Sequence, residues 1–275
     1  MASAPKSEPE AVSTEELLAP FLKRPDRSAL IFDIDGTLAP IVPRPEEAVV
    51  PEPTRALLRE LERRYALVAC ISGRRALEAR RLVGIESLAY VGNHGLERLA
   101  PGSAEPETDP ALVALGQSVR AFTAERYGED LRRLGVRLED KEAIWSFHWR
   151  GAPDEGAAHA ALKRVADDAA RGGLVPHWGR KVLEIRPPIE VDKGTAVETA
   201  LDDVAIDRAL YAGDDTTDLD AFRRLRELER GGRLQGLCVG IRSSEGPAAI
   251  VNEADLVVEG PGGLVELLCV LAEMR

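Results

Sequence analysis

Residues 28–38 read Ser-Ala-Leu-Ile-Phe-Asp-Ile-Asp-Gly-Thr-Leu. A short apolar run that ends in acids and a glycine is how a strand covered on both faces of a parallel sheet is written. On an extended chain, residues two apart project to the same side. Asp33 and Asp35 therefore converge at the C-terminal end of a strand, the edge where doubly wound sheets hold their ligands. Two carboxylates held together repel, so they call for a shared proton or a cation. Gly36 lets the backbone approach whatever is bound. A turn-capping pair is the structural alternative. An EF-hand loop is not, because its glycine stands sixth, whereas Gly36 is fourth from Asp33 and Pro40 and Pro43 follow.

The same grammar recurs outward from this stretch. Residues 66–71 and 88–92 read as strands, each preceded by a helix, over 53–64 and 74–82 respectively. Beyond residue 190 it returns, with helices over 193–201, 218–228 and 263–274 and strands over 208–212, 236–241 and 255–258. Strands alternating with helices predict an α/β fold with a doubly wound, Rossmann-like parallel sheet. The middle differs. Helices over 109–126 and 157–171, each followed by two strands (136–140 and 143–149, then 174–177 and 182–185), read as an inserted α+β cap. The expected organisation is a Pro/Ser/Glu-rich leader over 1–15, a discontinuous core over 16–101 and 188–275, and a cap over 102–187. An amphipathic helix is expected over 14–21, and hinges near 99–104 and 187–191, where Pro and Gly cluster.

Composition narrows the function classes. At 275 residues and 44% hydrophobic, the chain can bury a large core. A formal charge of −11 argues against nucleic acid as a partner, since backbone binding needs a positive surface. A small anion in one locally positive pocket stays open. No apolar stretch approaches the roughly 20 residues that cross a bilayer, and the N-terminus has no secretory apolar region, so the expectation is no membrane and a cytoplasmic address. Cys70, Cys238 and Cys269 are odd in number, far apart and set in apolar runs, which predicts reduced thiols.

Three further motifs follow apolar strands or open helices. Residues 213–218, Gly-Asp-Asp-Thr-Thr-Asp, could complete an oxygen-ligand site with Asp214, or cap a helix. Ser72-Gly73-Arg74 puts a hydroxyl and a guanidinium at a strand-to-helix turn, suited to an oxyanion. Lys193, after Asp192, could neutralise phosphate charge, although a surface lysine is the commoner case. In this order, from about Leu30 to the last helix, the chain resembles the haloacid dehalogenase-like phosphohydrolases. The resemblance implies that Asp33 is a nucleophile forming an aspartyl-phosphate. It makes Asp35 the acid that protonates the leaving alkoxide and later activates water, kept protonated by burial and by its neighbour. It gives Ser72 and Lys193 the phosphoryl oxygens, and Asp33, the carbonyl of Asp35 and Asp214 a Mg2+ ion. Asp215 and Asp218 stand behind these, Asp218 orienting Lys193, while Gly36, Thr37, Gly73 and Arg74 border the substrate.

The middle section bears on the substrate. Glu139 and Lys141 share one strand face, and His148 and Arg150 share a face of the next. A solvated sheet face is the plain reading, while a surface for many hydroxyls is the other. Together with Gly92-Asn93-His94-Gly95-Leu96-Glu97 and residues 180–187 (Arg-Lys-Val-Leu-Glu-Ile-Arg-Pro), these motifs resemble the trehalose-6-phosphate phosphatases. The resemblance implies sugar contacts from Glu139, Lys141, His148, Arg150, Arg180 and Glu184, with Asn93 and His94 at the junction. It implies Mg2+-dependent hydrolysis of trehalose 6-phosphate by a monomer supplied by a separate trehalose-6-phosphate synthase. Trp149 and Leu219 depart from that family's usual Tyr and acid. A sucrose-phosphate, mannosylglycerate-type or phosphomannose phosphatase shares the same core, and a non-catalytic phosphosugar sensor is the reading outside enzymes. A phospho-receiver domain is about half this length and lacks an insert.

Overall fold

Strand β1 (Ser28–Phe32) is buried at all five positions, as an apolar run between two helical layers must be. In this computed structural model, which describes residues 13–108, 110–189, 191–202, 204–244 and 246–273, β1 sits in the middle of a large sheet. The first part of the chain adds β2 (Leu67–Ile71), β3 (Ala89–Gly92), β4 (Glu97–Leu99) and β5 (Glu107–Thr108), with helices α1 (Thr14–Lys23), α2 (Glu52–Glu62) and α3 (Ala76–Val83). The middle part comprises α4 (Pro110–Arg126), α5 (Glu129–Arg133), β6 (Arg137–Lys141), β7 (Ile144–His148), α6 (Glu155–Arg171), β8 (Val175–Gly179) and β9 (Val182–Arg186). The last part comprises α7 (Lys193–Leu201), β10 (Arg208–Gly213), α8 (Asp218–Arg230), β11 (Gln235–Arg242), α9 (Ala248–Glu253), β12 (Leu256–Glu259) and α10 (Gly260–Leu271).

The large sheet runs β12-β11-β10-β1-β2-β3-β4-β5, parallel from β12 to β3. Leu30 and Phe32 of β1 face one core layer, with α1, α2, α3 and α10, while Ala29 and Ile31 face the other, with α7, α8 and α9. From β1 the chain steps outward to β2 and β3, then returns to β10 on β1's other side. The crevice where strand order reverses therefore opens between the C-terminal ends of β1 and β10. Asp33 and Asp214 are the residues that leave those two ends.

The second sheet, β6-β7-β9-β8, is antiparallel throughout. Phe147, Leu183 and Ile185 turn one face to Val119 of α4 and to Leu162, Val165 and Ala169 of α6. Register places Glu139 opposite Ser146, Ser146 opposite Glu184, and Glu184 opposite His177. Cross-strand partners share a face, so these four form a polar row on the side away from the helices.

The doubly wound parallel sheet and the separate mixed section follow the sequence reading. Two features differ from it. The antiparallel strands β4 and β5 carry the large sheet through Thr108, past the residue where the insert was expected to begin. Helices α5 and α9 were not anticipated. Helix α1, expected over 14–21, starts at Thr14, where Ser13 and Glu16 form a reciprocal capping box, and continues to Lys23; residues 1–12 of the expected leader lie outside the described residues. All three cysteines are free thiols, with Cys70 and Cys238 buried. No helix among the described residues is long and apolar enough to cross a membrane.

Candidate active site

Asp33 is fixed by its backbone, whose N–H donates to the Ala212 carbonyl of β10 at 2.9 Å. The residue is 5% exposed. Lys193 is the first residue of α7, placed there by the Asp192 cap on Thr195 N. Its Nζ lies 2.6 Å from Asp33 Oδ1 and 2.6 Å from Asp218 Oδ1. Asp218 is fully engaged: Tyr211 donates its hydroxyl to Oδ1 at 2.6 Å, and the amides of Asp214 and Asp215 donate to Oδ2 at 3.0 and 2.8 Å. Asp218 is thus the expected brace for Lys193, whereas the helix cap that residues 213–218 could have supplied is not made: Thr217 precedes α8 without a side-chain capping bond.

Oxygens of Asp33, Asp214 and Asp218 lie within 4.8 Å of one another, all buried. One ammonium does not balance them. Burial pushes the Asp33 carboxyl well above the usual range despite the pull of Lys193, with Asp218 and Asp214 adding repulsion. Burial, then the charge of Asp218, pushes Asp214 up to about 7. Asp214 Oδ2 is buried and accepts no hydrogen bond. Gly36 has φ +95°, and a Cβ there would stand 2.2 Å from that same oxygen. A pocket of crowded, mutually repelling carboxylate oxygens, one of which is buried and accepts no hydrogen bond, fits a hard divalent cation such as Mg2+.

Asp35 departs from expectation. It is not buried, its side chain being 37% exposed, and both its oxygens accept from Arg74, at 2.6 and 2.8 Å. Arg74 also donates to Glu78 at 2.5 Å, so the guanidinium read as an anion receptor grips two carboxylates of this chain instead. Ser72 is buried and its Oγ accepts from Arg74 N at 3.1 Å.

The polar row of the second sheet faces these groups. Glu184, 4% exposed, is its hub. It accepts from Lys141 at 3.0 Å, Ser146 at 3.5 Å and Arg186 at 2.6 Å, and meets His94 Nε2 at 3.1 Å. Although burial opposes it, the charges of Lys141 and His94 hold the Glu184 carboxyl well below the usual range. Lys141 also donates to the Gly73 carbonyl at 3.2 Å, and a Cβ on Gly73 would meet the His94 ring at 2.7 Å. Glu139 pairs with His148 at 2.7 Å. Asn93 Nδ2 donates to Glu97 at 2.6 Å and to the Lys141 carbonyl at 2.9 Å, while Glu97 also accepts from Ala76 N, the first residue of α3.

Between the sheets lies a cavity of about 220 Å³. Asp33, Asp35, Ser72, Gly73, Arg74, His94, Lys193 and Asp215 line it from the large sheet, and Glu139, Lys141, His148, Arg150, Arg180 and Glu184 from the second. Gly36, Thr37 and Asn93, expected beside the substrate, do not line it. Close packing assigns Gly36 and Thr37 to Asp214, with Thr37 Oγ1 3.5 Å from Asp214 Oδ1, and Asn93 to the joint between the sheets. Of the two residues at the β8–β9 turn, Arg180 reaches Asp214 at 2.9 Å, whereas Lys181 pairs with Glu155 at 2.6 Å. Trp149 stacks on His159 and Leu219 packs in the core, and neither lines the cavity.

Sequence reasoning missed Tyr211, Glu97, Ser146, Arg186 and His177. Strand alternation could have found Arg186, two residues from Glu184. Tyr211 gave no signal, being one more large residue in a buried strand.

His94 sets a pH limit. It takes φ +58°, is 7% exposed, and burial lowers its pKa from 6.5 to about 4. A base whose folded pKa is depressed stabilises the fold fully above its unfolded value, and that stability is lost as pH falls towards the folded one. Thermal melts from pH 7 to pH 4 should therefore show a loss that His94→Asn, which tolerates the same backbone, reduces by about 3 kcal/mol at the acid end. An identical pH profile in the variant would contradict the assignment.

A sequence profile described as trehalose-phosphatase matches residues 31–253. The chain is 32% identical over 281 residues to a probable trehalose-phosphate phosphatase 4 of Oryza sativa subsp. japonica, covering 98% of this chain and 72% of that one. It is 35% identical over 214 residues to the trehalose-phosphate phosphatase of Mycobacterium marinum, covering 73% of this chain and 53% of that one. The chain thus spans between about half and three-quarters of these relatives' length. In fold it is similar to the trehalose-6-phosphate phosphatase C-terminal domain of C. albicans, with TM-score 0.76, 24% identity, and coverage of 96% of this chain and 98% of that one. The profile match begins inside β1 and ends with α9, a span that takes in every group lining the crevice, and on it the chain belongs to the trehalose-phosphatase family.

Proposed function

We propose that this protein hydrolyses trehalose 6-phosphate to trehalose and inorganic phosphate. The observation that carries the reading is that one cavity has Asp33 and Lys193 on one wall and the Glu184 hub on the other. The first wall suits a phosphoryl group, and the second suits a ring of hydroxyls.

In the first step Asp33 attacks phosphorus, the ester P–O bond breaks, and the leaving sugar oxygen takes a proton from Asp35. In the second, Asp35 removes a proton from water, which attacks phosphorus, releases phosphate and restores Asp33. Lys193 and Ser72 hold the phosphoryl oxygens between the steps. A divalent ion held by Asp33, Asp214 and the Asp35 carbonyl would neutralise phosphoryl charge that otherwise repels a carboxylate nucleophile. Asp35 must carry a proton to act as an acid, so the Arg74 clasp has to open as the phosphosugar enters, with phosphate oxygens as competing acceptors.

The second sheet acts as the cap. Glu139, Lys141, His148, Arg150 and Glu184 recognise hydroxyls, and its close approach to the large sheet excludes water during transfer. The test is phosphate release from a panel of sugar phosphates, with and without Mg2+. A strong, Mg2+-dependent preference for trehalose 6-phosphate is expected. Preference for another sugar phosphate would keep the aspartate chemistry and discard the substrate, and no turnover of any would favour a phosphosugar sensor.

A further inference from the structure

Arg180 lines the cavity and makes contacts there that the proposed chemistry does not explain. It stands at the tip of the β8–β9 hairpin, where Lys181 takes φ +60° and ties the turn outward to Glu155. From there Arg180 crosses to the large sheet. Its Nη2 donates to the Asp214 carbonyl at 2.8 Å and lies 2.9 Å from Asp214 Oδ2, and its Nε lies 3.6 Å from Asp215 Oδ1. The match is incomplete on both sides. Arg180 Nε and Nη1 are buried without a hydrogen-bond partner, and so is Asp214 Oδ2. A guanidinium with a fork of donors ordinarily satisfies a carboxylate with two parallel bonds, as Arg74 does for Asp35. Arg180 is therefore held by charge more than by fit, and unmatched buried donors make its place easy to surrender.

We propose that Arg180 is the built-in counter-ion of the cation site, seated on Asp214 until a divalent ion takes its place. The two cations compete for one buried carboxylate. Arrival of the divalent ion frees the guanidinium and the hairpin tip, which then turn to the next anion in the cavity, the phosphate of the substrate. Because coupling between ligands is reciprocal, phosphate and divalent ion each favour binding of the other through Arg180. The proposal rests on reading the acidic cluster as the cation site.

The test needs no turnover. Mg2+ affinity is measured by calorimetry on the metal-free full chain for the wild type, Arg180→Gln, Arg180→Lys and Asp214→Asn, with and without inorganic phosphate. Arg180→Gln should bind Mg2+ at least about fivefold more tightly than the wild type, the lower end of ordinary coupling between sites, while Arg180→Lys, which keeps the charge, should stay near the wild type. Phosphate should tighten Mg2+ binding in the wild type and less so in Arg180→Gln. Tryptophan emission gives a second readout, since Trp145 and Trp178 are on the second sheet and Trp149 directly follows β7. A change on Mg2+ addition in the wild type should be lost in Arg180→Gln. Equal or weaker Mg2+ binding by Arg180→Gln, with binding abolished in Asp214→Asn, would overturn the proposal and leave the cation site standing. Unchanged binding in Asp214→Asn would overturn both. Should Arg180→Gln fail to fold, the wild-type emission change carries the test, and its absence on saturation with Mg2+ would overturn the proposal.

Discussion

Asp33→Asn is expected to lower phosphate release by about four orders of magnitude or more, the usual cost of deleting a covalent nucleophile, while leaving the fold intact. An amide has no lone pair basic enough to displace an alkoxide from phosphorus, and no neighbour can take over. Asp218 is closed off by Lys193, Tyr211 and two backbone amides, and Asp35, once released by Arg74, is engaged in proton transfer to the leaving oxygen. The fold should survive because Asp33 is a strained member of its cluster. Burial and the nearby acids push its carboxyl far up, so removing the charge relieves repulsion, and Lys193 keeps its 2.6 Å bond to Asp218. Metal-free melts should therefore show the variant no less stable than the wild type at neutral pH. Phosphate release near the wild-type rate would end the assignment of Asp33 as nucleophile.

The ease with which the large sheet was read has a physical cause. A parallel strand covered on both faces must be apolar at every position, and β1, buried throughout, shows this directly in sequence. The acids at its end stand out for the same reason, as abrupt polarity after an apolar run. Strands of two or three residues, such as β4 and β5, are too short for any periodicity to register. Pairings between distant segments were equally hidden. Arg74 reads as a receptor for an oxyanion because nothing local says that Asp35, thirty-nine positions earlier, claims its guanidinium. Glu97 closes the Gly92–Glu97 motif with no role legible in the sequence, yet it is 2% exposed, and its two oxygens organise both the start of α3 and the joint made by Asn93. Sequence thus locates groups that follow from strand ends, whereas the way those groups neutralise one another is decided by packing.

Glu184→Gln should separate recognition of the sugar from chemistry at phosphorus. The substitution keeps volume and removes one charge from a hub that ties Lys141, Arg186 and His94 together. Lys141 and Arg186 then share one neutral carbonyl, and the amide can donate but not balance them. Both cations should relax, and with them the row of groups that would position the hydroxyls. Contacts remote from the reacting bond raise turnover only if they hold the substrate in its reactive pose. A fall of about 100-fold in kcat/KM on trehalose 6-phosphate is therefore expected, the size that follows from a small misplacement. A small aryl phosphate touches only the Asp33 wall, so its kcat/KM should change by no more than a few-fold. The alternative has a definite path: Lys141 also donates to the Gly73 carbonyl beside Ser72, through which loss of Glu184 could disturb the phosphate site itself. Equal losses on both substrates would identify that path and make Glu184 a support for the whole cavity, whereas a large ratio between them would place specificity in the second sheet, with the catalytic edge of the first unaffected.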